Sequence, residues 1–202
     1  MANSATESAI KGAAESVKES AVDSAMRRYD RAMNHSSIQH ALVALGSNLD
    51  APATQLKRAI LHLQRHSEGT FVCSSIYRTP PHAMPAGTPD FANAVVRLET
   101  TQSGPELLSF LNSLEVFFGR PANHEKNVSR VLDLDLIALG EVISQSEALT
   151  LPHPRAAQRD FVLQPIVEIW PDYRLPGFEA TASELLAQLG SSPLQYWDTS
   201  DY

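Results

Sequence analysis

The hydrophobic pattern of the chain begins at Ala41-Leu42-Val43-Ala44-Leu45, a continuous apolar run that predicts a buried strand, and Gly46-Ser47-Asn48 ends it. Asp50 is placed to cap a following helix with Pro52 in its first turn and Leu56, Ile60 and Leu63 as its buried stripe. A second strand is expected over Thr70–Tyr77, a Pro-rich loop from Thr79 to Asp90, and a third strand at Ala94-Val95-Val96-Arg97-Leu98. Ser103-Gly104-Pro105-Glu106 is a capping box, opening a helix whose Leu107, Leu108, Leu111 and Leu114 point to the core and which Gly119 closes. The fourth strand is the run from Arg130 to Leu139. Beyond it, Val142–Ile143 and Leu149–Leu151 can pair as a hairpin, a helix is expected through Gln164–Ile169, and Thr181-Ala182-Ser183-Glu184 caps a last helix through Leu185, Leu186 and Leu189. The order βαββαβ predicts an α+β, ferredoxin-like sandwich, an antiparallel sheet with two helices on one face, extended by the hairpin and the C-terminal helices.

Residues 1–38 stand apart. They are rich in Ala, Ser and Glu, and their stripe of Ile10, Ala14, Val17 and Ala21 is thin and built from small side chains. They lack the apolar core of a secretory signal, and they carry too many acids for a transit peptide. The expectation is a helical or disordered extension over 1–38, able to contact another protein, followed by one domain over 39–202. At 202 residues the chain is long enough for that arrangement. No stretch approaches the roughly 20 apolar residues of a membrane span. A net charge of −7 argues against a nucleic-acid binder. The single cysteine, Cys73, lies in an apolar segment; it reads as a core residue and fits a reducing cytoplasm.

Arg130-Val131-Leu132-Asp133-Leu134-Asp135-Leu136 holds the chemistry that the pattern leaves over. In a strand, Asp133 and Asp135 point from one face about 6.6–6.8 Å apart along the chain, while Leu132, Leu134 and Leu136 point to the core. Two carboxylates on one face suit a hard cation such as Mg²⁺; the alternative is an amphipathic strand with a wet outer face. Around them lie Arg120, His124, Lys126 and Arg130 upstream, and His153, Arg155 and Arg159 downstream. Taken alone, the loop 119–130 is a charged surface loop; beside paired carboxylates its arginines suit a polyphosphate. Phe91, Asn93 and Phe161 could clamp a flat heterocycle and read its edge, although each phenylalanine by itself also suits the core. The sequence has no Gly-x-x-x-x-Gly-Lys-Ser/Thr loop, Gly-x-Ser-x-Gly elbow or His-Glu-x-x-His motif, so neither a covalent nucleophile nor zinc is favoured.

Read together, Ala44-Leu45-Gly46-Ser47-Asn48-Leu49, Tyr77-Arg78-Thr79-Pro80-Pro81, Asp90-Phe91-Ala92-Asn93-Ala94-Val95, Glu115, Gly119-Arg120, the Asp-Leu-Asp block, Pro152-His153 and Arg159-Asp160-Phe161 resemble the 6-hydroxymethyl-7,8-dihydropterin pyrophosphokinase family of folate biosynthesis, over about residues 40–178. The resemblance implies Mg²⁺-dependent transfer of pyrophosphate from ATP to the pterin hydroxymethyl group, leaving AMP. It implies that Asp133 and Asp135 hold two Mg²⁺ ions, and that Arg120 and Arg130 act on the polyphosphate. Asn112, Glu115, Thr150, His153 and Arg159 fall where the family contacts ATP. Phe91 and Phe161 would sandwich the pterin, with Asn93 and the Thr79-Pro80 backbone at its edge.

The chain departs from the family pattern in four places. Asn127-Val128-Ser129-Arg130 stands where Trp-Gly-Pro-Arg is usual, Ala122 where many members have a second loop arginine, Phe91 where a tyrosine is common, and His82 where an apolar residue is usual. The metal site is complete, and the loop over it lacks a stacking surface. The expectation is an active enzyme with a weakened or differently closing lid; the competing readings are a pterin- or nucleotide-binding paralogue with lost or weak catalysis, and a ferredoxin-like interaction module.

Overall fold

A computed structural model describes residues 37–81, 85–120 and 129–197. In the unit Ile38–Tyr202, the central strand β1 (Gln39–Ser47) pairs antiparallel with both β4 (Phe91–Thr100) and β5 (Asp133–Leu139). The sheet runs β5-β1-β4-β3-β8, with β2 (Phe71–Cys73) and β3 (Tyr77–Thr79) both on β4, and β8 (Gln195–Tyr196) outside β3. With β2 and β3 counted as one interrupted strand, this is the 4-1-3-2 order of a ferredoxin-like fold, as the element order predicted.

β1 reads as an unbroken apolar run because both of its faces are covered. Ala41, Val43 and Leu45 pack with Leu56 and Leu63 of α1 (Pro52–His66) and with Leu107, Leu111 and Leu114 of α2 (Gly104–Phe117). Leu42 packs the other way, with Val95 and Ile137, against Val162, Leu163 and Ile166 of α3 (Asp160–Ile169) and Leu185 of α4 (Ala182–Leu189). The result is three layers, helices on both faces of an antiparallel sheet. The alternation in β5 sorts the same way: Leu134 and Leu136 enter the α1/α2 core, which leaves Asp133 and Asp135 on the opposite face.

Several local expectations need correction. The strand expected over Thr70–Tyr77 is split after Cys73, because Ser74 accepts the Val95 N–H with its hydroxyl at 3.0 Å and interrupts the ladder. Asp50 does not cap α1 with its side chain. Asp50 and Ala51 are both left-handed (φ 52° and 60°), and the Ala51 carbonyl takes the Thr54 and Gln55 N–H groups instead. Leu108 is only half-buried and lines a cleft rather than the core. The hairpin pairs Ser144–Gln145 (β6) with Thr150–Leu151 (β7), so its first arm lies two residues beyond Val142–Ile143. Helix α3 begins a turn earlier than expected, at Asp160. Strand β8 was not foreseen; its two residues carry no periodicity to read. Both capping boxes form: Glu106 accepts the Ser103 N–H at 2.8 Å, and Glu184 accepts the Thr181 N–H at 2.7 Å.

Candidate functional site

Register across the sheet assembles the site. Asp133 lies opposite Gly46, Gly46 opposite Asn93, and Asn93 opposite Tyr77, so residues from four strands form one row on the α3 face. Gly46 is the low floor of that row: a Cβ there would stand 3.4 Å from Asn93 Oδ1 and 3.8 Å from Asp133 Cβ. Asp135 sits in the next row, opposite Ala44.

The β5 end is densely charged. Arg120 Nη1 donates to Asp133 Oδ1 at 2.6 Å and also to Glu115 Oε1; Arg130 Nη1 donates to Asp133 Oδ2 at 2.7 Å. Both oxygens of Asp133 therefore face a guanidinium. Asp135 is looser, with Arg159 Nη1 3.8 Å from its Oδ2. Burial, followed by the charge of Asp133, raises the Asp135 carboxyl above its ordinary range. Glu115, on α2, is 5% exposed and accepts the Leu134 N–H at 2.6 Å, which ties the helix to the aspartate strand. Burial lifts its carboxyl to about 7, against the opposing pull of that N–H and of Arg120. His153 is lowered, chiefly by burial and by the nearby arginines Arg159 and Arg155, with Asp135 pulling the other way. The Arg155 N–H donates to its Nδ1 at 3.2 Å, which leaves Nε2 to carry the proton of the neutral ring.

These groups line a cleft of about 310 Å³, together with Asn112, Thr150 and the apolar side chains of Leu108, Leu136 and Leu149. Asn112, Glu115, Arg120, Asp133, Asp135, Thr150 and His153, singled out in the sequence, thus share one concavity although they come from α2, β5, β7 and the segments that follow α2 and β7. Arg130 and Arg159 reach it through Asp133 and Asp135. An adjoining groove of about 500 Å³ runs out along α2 past Pro105, Ser109 and Val116.

The β3 end is neutral. Asn93 Nδ2 donates to the Thr79 hydroxyl at 2.7 Å, both residues being buried, and Thr79 lies opposite Phe91 in the register. Pro80 follows at the exposed end of β3. Phe161 sits in the first turn of α3, half-buried against the second core, with the Arg159 guanidinium 5.4 Å from its ring centre. Among the described residues no ring contact joins Phe91 to Phe161. His82, Ala122, His124, Lys126, Asn127 and Val128 lie outside the described residues, as does the extension before Ser37.

Asn48 had no assigned role in the sequence, and the structure gives it one. Its Oδ1 accepts the Arg130 N–H at 2.8 Å, its own N–H donates to the Arg130 carbonyl at 3.1 Å, and its Nδ2 donates to the Ser129 hydroxyl at 3.0 Å. It fastens the backbone from which Arg130 reaches Asp133. An asparagine directly after a predicted buried strand was the available signal, and in the structure it is 2% exposed.

Among the described residues no three His, Cys, Asp or Glu side chains cluster to cage a metal. Two strand-mates, Asp133 and Asp135, are what remains. That donor set fits Mg²⁺, which takes one or two carboxylates and completes its shell with phosphate oxygens and water.

The sequence matches the 7,8-dihydro-6-hydroxymethylpterin-pyrophosphokinase (HPPK) family over residues 42–171. It is similar to the 2-amino-4-hydroxy-6-hydroxymethyldihydropteridine pyrophosphokinase of Haemophilus influenzae, at 38% identity over 149 residues, covering 73% of this chain and 91% of that protein. The protein of the same name from Synechocystis is 40% identical over 151 residues, covering 74% and 75%. In fold the chain is similar to Plasmodium falciparum HPPK-DHPS crystallised with pteroate, with a TM-score of 0.59 at 13% identity. That match covers 75% of this chain and 42% of the other, so this chain spans less than half of the larger molecule. The aspartate pair, its arginines and strands β2 to β5 all lie within the matched span, and the chain belongs to the HPPK family.

Proposed function

We propose that this protein transfers pyrophosphate from ATP to 6-hydroxymethyl-7,8-dihydropterin, a step of folate biosynthesis, in the cytoplasm. The observation that carries this reading is the convergence of Arg120 and Arg130 on Asp133, beside Asp135 and Glu115, in a family whose named members are pyrophosphokinases. The pterin hydroxymethyl oxygen forms a bond to the β-phosphorus and gives up its proton to solvent, the bond from that phosphorus to the α–β bridging oxygen breaks, and AMP leaves with that oxygen. Asp133 and Asp135 would hold two Mg²⁺ ions, which supply fixed positive charge to the phosphate oxygens.

The side chains of this chain do the rest. Arg120 and Arg130 turn from Asp133 to the polyphosphate, where forked donors match phosphate geometry. Asn112, Glu115, Thr150, His153 and Arg159 orient the nucleotide. Phe91 and Phe161 hold the pterin ring, while Asn93 and the Thr79-Pro80 backbone fix its edge. Transfer of this kind draws its rate from positioning and charge, so no protein nucleophile is required.

The test is pterin-dependent AMP release with ATP and Mg²⁺. AMP formation that requires all three supports the reading; a protein that binds pterin and releases no AMP is a binding paralogue instead. In this reading residues 1–38 are an extension able to contact another protein, and the domain over 39–202 performs the chemistry. Among the described residues no helix is long and apolar enough to cross a membrane.

A further inference from the structure

At the β3 edge, on the far side of the sheet from the nucleotide cleft, α3 and the C-terminal strand meet in a knot of hydrogen bonds that the transfer does not use. Glu168, in the last turn of α3, accepts from three donors, two on Ser75 between β2 and β3 and one on Tyr77 at the start of β3. The Ser75 N–H reaches its two oxygens at 3.0 and 2.9 Å, the Ser75 hydroxyl reaches Oε1 at 2.7 Å, and the Tyr77 hydroxyl reaches Oε2 at 2.8 Å. Tyr77 is 2% exposed, and burial beside that carboxylate holds its phenol well above the ordinary range, so it remains a donor.

One turn back on the helix, Gln164 Oε1 accepts the Leu194 N–H at 2.9 Å and fixes the start of β8. β8 then closes the loop onto β3. Tyr196 lies opposite Tyr77 and stacks on it with ring centres 5.2 Å apart; the Trp197 N–H donates to the Ile76 carbonyl at 2.8 Å, and the Arg78 guanidinium lies 4.6 Å from the Trp197 ring.

Phe161, Gln164 and Glu168 are spaced i, i+3, i+7 and so lie along one stripe of α3. Tyr77 and Thr79 are i and i+2 on one face of β3. The same helix stripe and the same strand face that carry the knot also carry Phe161 and Thr79, with Asn93 bonded to Thr79. We propose that Glu168 and Tyr77, closed by β8, are positioning residues that set the spacing between Phe161 and the Thr79–Asn93 edge, and thereby the affinity for the pterin. This rests on the pterin reading of that pocket given above. Strand β8 lies beyond residues 42–171, the span matched to the family.

The test separates the two Michaelis constants in the full-length chain. Glu168→Ala should raise the pterin KM about tenfold, the scale on which loss of ring stacking acts. The ATP KM should stay unchanged, because the nucleotide cleft lies at β5, at the opposite end of the sheet. Glu168→Gln keeps an acceptor for Ser75 and should recover much of the loss, and Tyr77→Phe should give a smaller rise. A folded Glu168→Ala with an unchanged pterin KM, or with both constants raised alike, overturns the proposal. If Glu168→Ala does not fold, Tyr77→Phe and Gln164→Ala decide it: a rise in pterin KM alone supports the brace, and unchanged constants overturn it. A wild type that forms no pterin-dependent AMP overturns the pocket reading and the brace together; an active wild type matched by all variants overturns the brace alone.

Discussion

At the β5 end of the sheet, Asp133 accepts from two guanidinium groups, and Glu115 accepts from one of them and from a backbone N–H. At the β3 end, Asn93 and Thr79 share a single neutral hydrogen bond beside Phe91. The charged end sets its cations against its anions; in the proposed reaction a polyphosphate and its metal would exchange partners with both. Its geometry is set by strong, directional ion pairs in a sheltered place. The neutral end has no ion pair at Asn93 and Thr79, and in the proposed reading a flat ring between Phe91 and Phe161 would depend on the distance between them. That distance is a matter of how α3 lies on the β3–β4 edge, since Phe91 opens β4. Loss of a charge should therefore break chemistry at one end, and loss of packing should weaken affinity at the other.

The largest effect is expected at the aspartates. Asp133→Ala or Asp135→Ala should lower turnover by at least about a thousandfold, since several kcal/mol of charge stabilisation are lost. The two should differ in stability. Asp133→Ala strips both Arg120 and Arg130 of a partner and should cost about 1–3 kcal/mol of folding free energy, whereas Asp135→Ala, which loses only a loose 3.8 Å pairing with Arg159, should cost little. AMP release and denaturant melts measure the two quantities; near-normal turnover in both variants at saturating Mg²⁺ would remove the metal assignment.

Phe161→Ala comes next and probes the other end. It should weaken pterin binding about tenfold and ATP binding much less, because ring stacking adds roughly 0.5–1.5 kcal/mol beyond the area it buries. Calorimetry with each ligand reads this directly. Equal losses for both ligands would mean that Phe161 serves only the second core.

Glu115 supplies a pH signature of the charged end. Its carboxyl titrates near 7 in the folded protein and near 4.5 when unfolded. Between those values the folded state keeps the proton that the unfolded chain has released, so its contribution to stability falls as pH rises. Wild type should thus lose stability relative to Glu115→Gln as pH is raised from 4.5 to about 7, with little further change above. Parallel stability curves for the two proteins would show that burial does not shift Glu115.

The smallest effect is expected outside both ends. Removal of residues 1–36 should leave both Michaelis constants and turnover within about twofold, because the segment precedes β1 and contains none of the site residues. A folded truncated protein with large losses in turnover would make the extension part of the site.

Much of this comparison was legible before the structure. The capping boxes at Ser103 and Thr181, the apolar run of β1 and the period-two alternation of β5 each depend on residues close in sequence, so local chemistry decides them. The local reading failed where a distant group took over. The Ser74 hydroxyl answers Val95, twenty-one residues away, and cuts a strand in two. The Ala51 carbonyl, rather than the Asp50 side chain, opens α1 because both residues turn left-handed there.

By itself the sequence determined the ferredoxin-like order of elements, the shared face of Asp133 and Asp135, and the residue types that would meet a polyphosphate and a flat ring. Periodicity and side-chain chemistry are local properties, and they survive in a linear text. Only the tertiary structure decided that Asn48 fastens Arg130, that both arginines donate to Asp133, and that Glu168 of α3 ties Tyr77 of β3 while a two-residue strand seals the edge. Apart from Arg130–Asp133, those contacts join residues far apart in the chain, from 13 residues at Arg120–Asp133 to 91 at Tyr77–Glu168 and further at the Tyr77–Tyr196 pairing, and each partner is an unremarkable residue until the fold brings the other within reach.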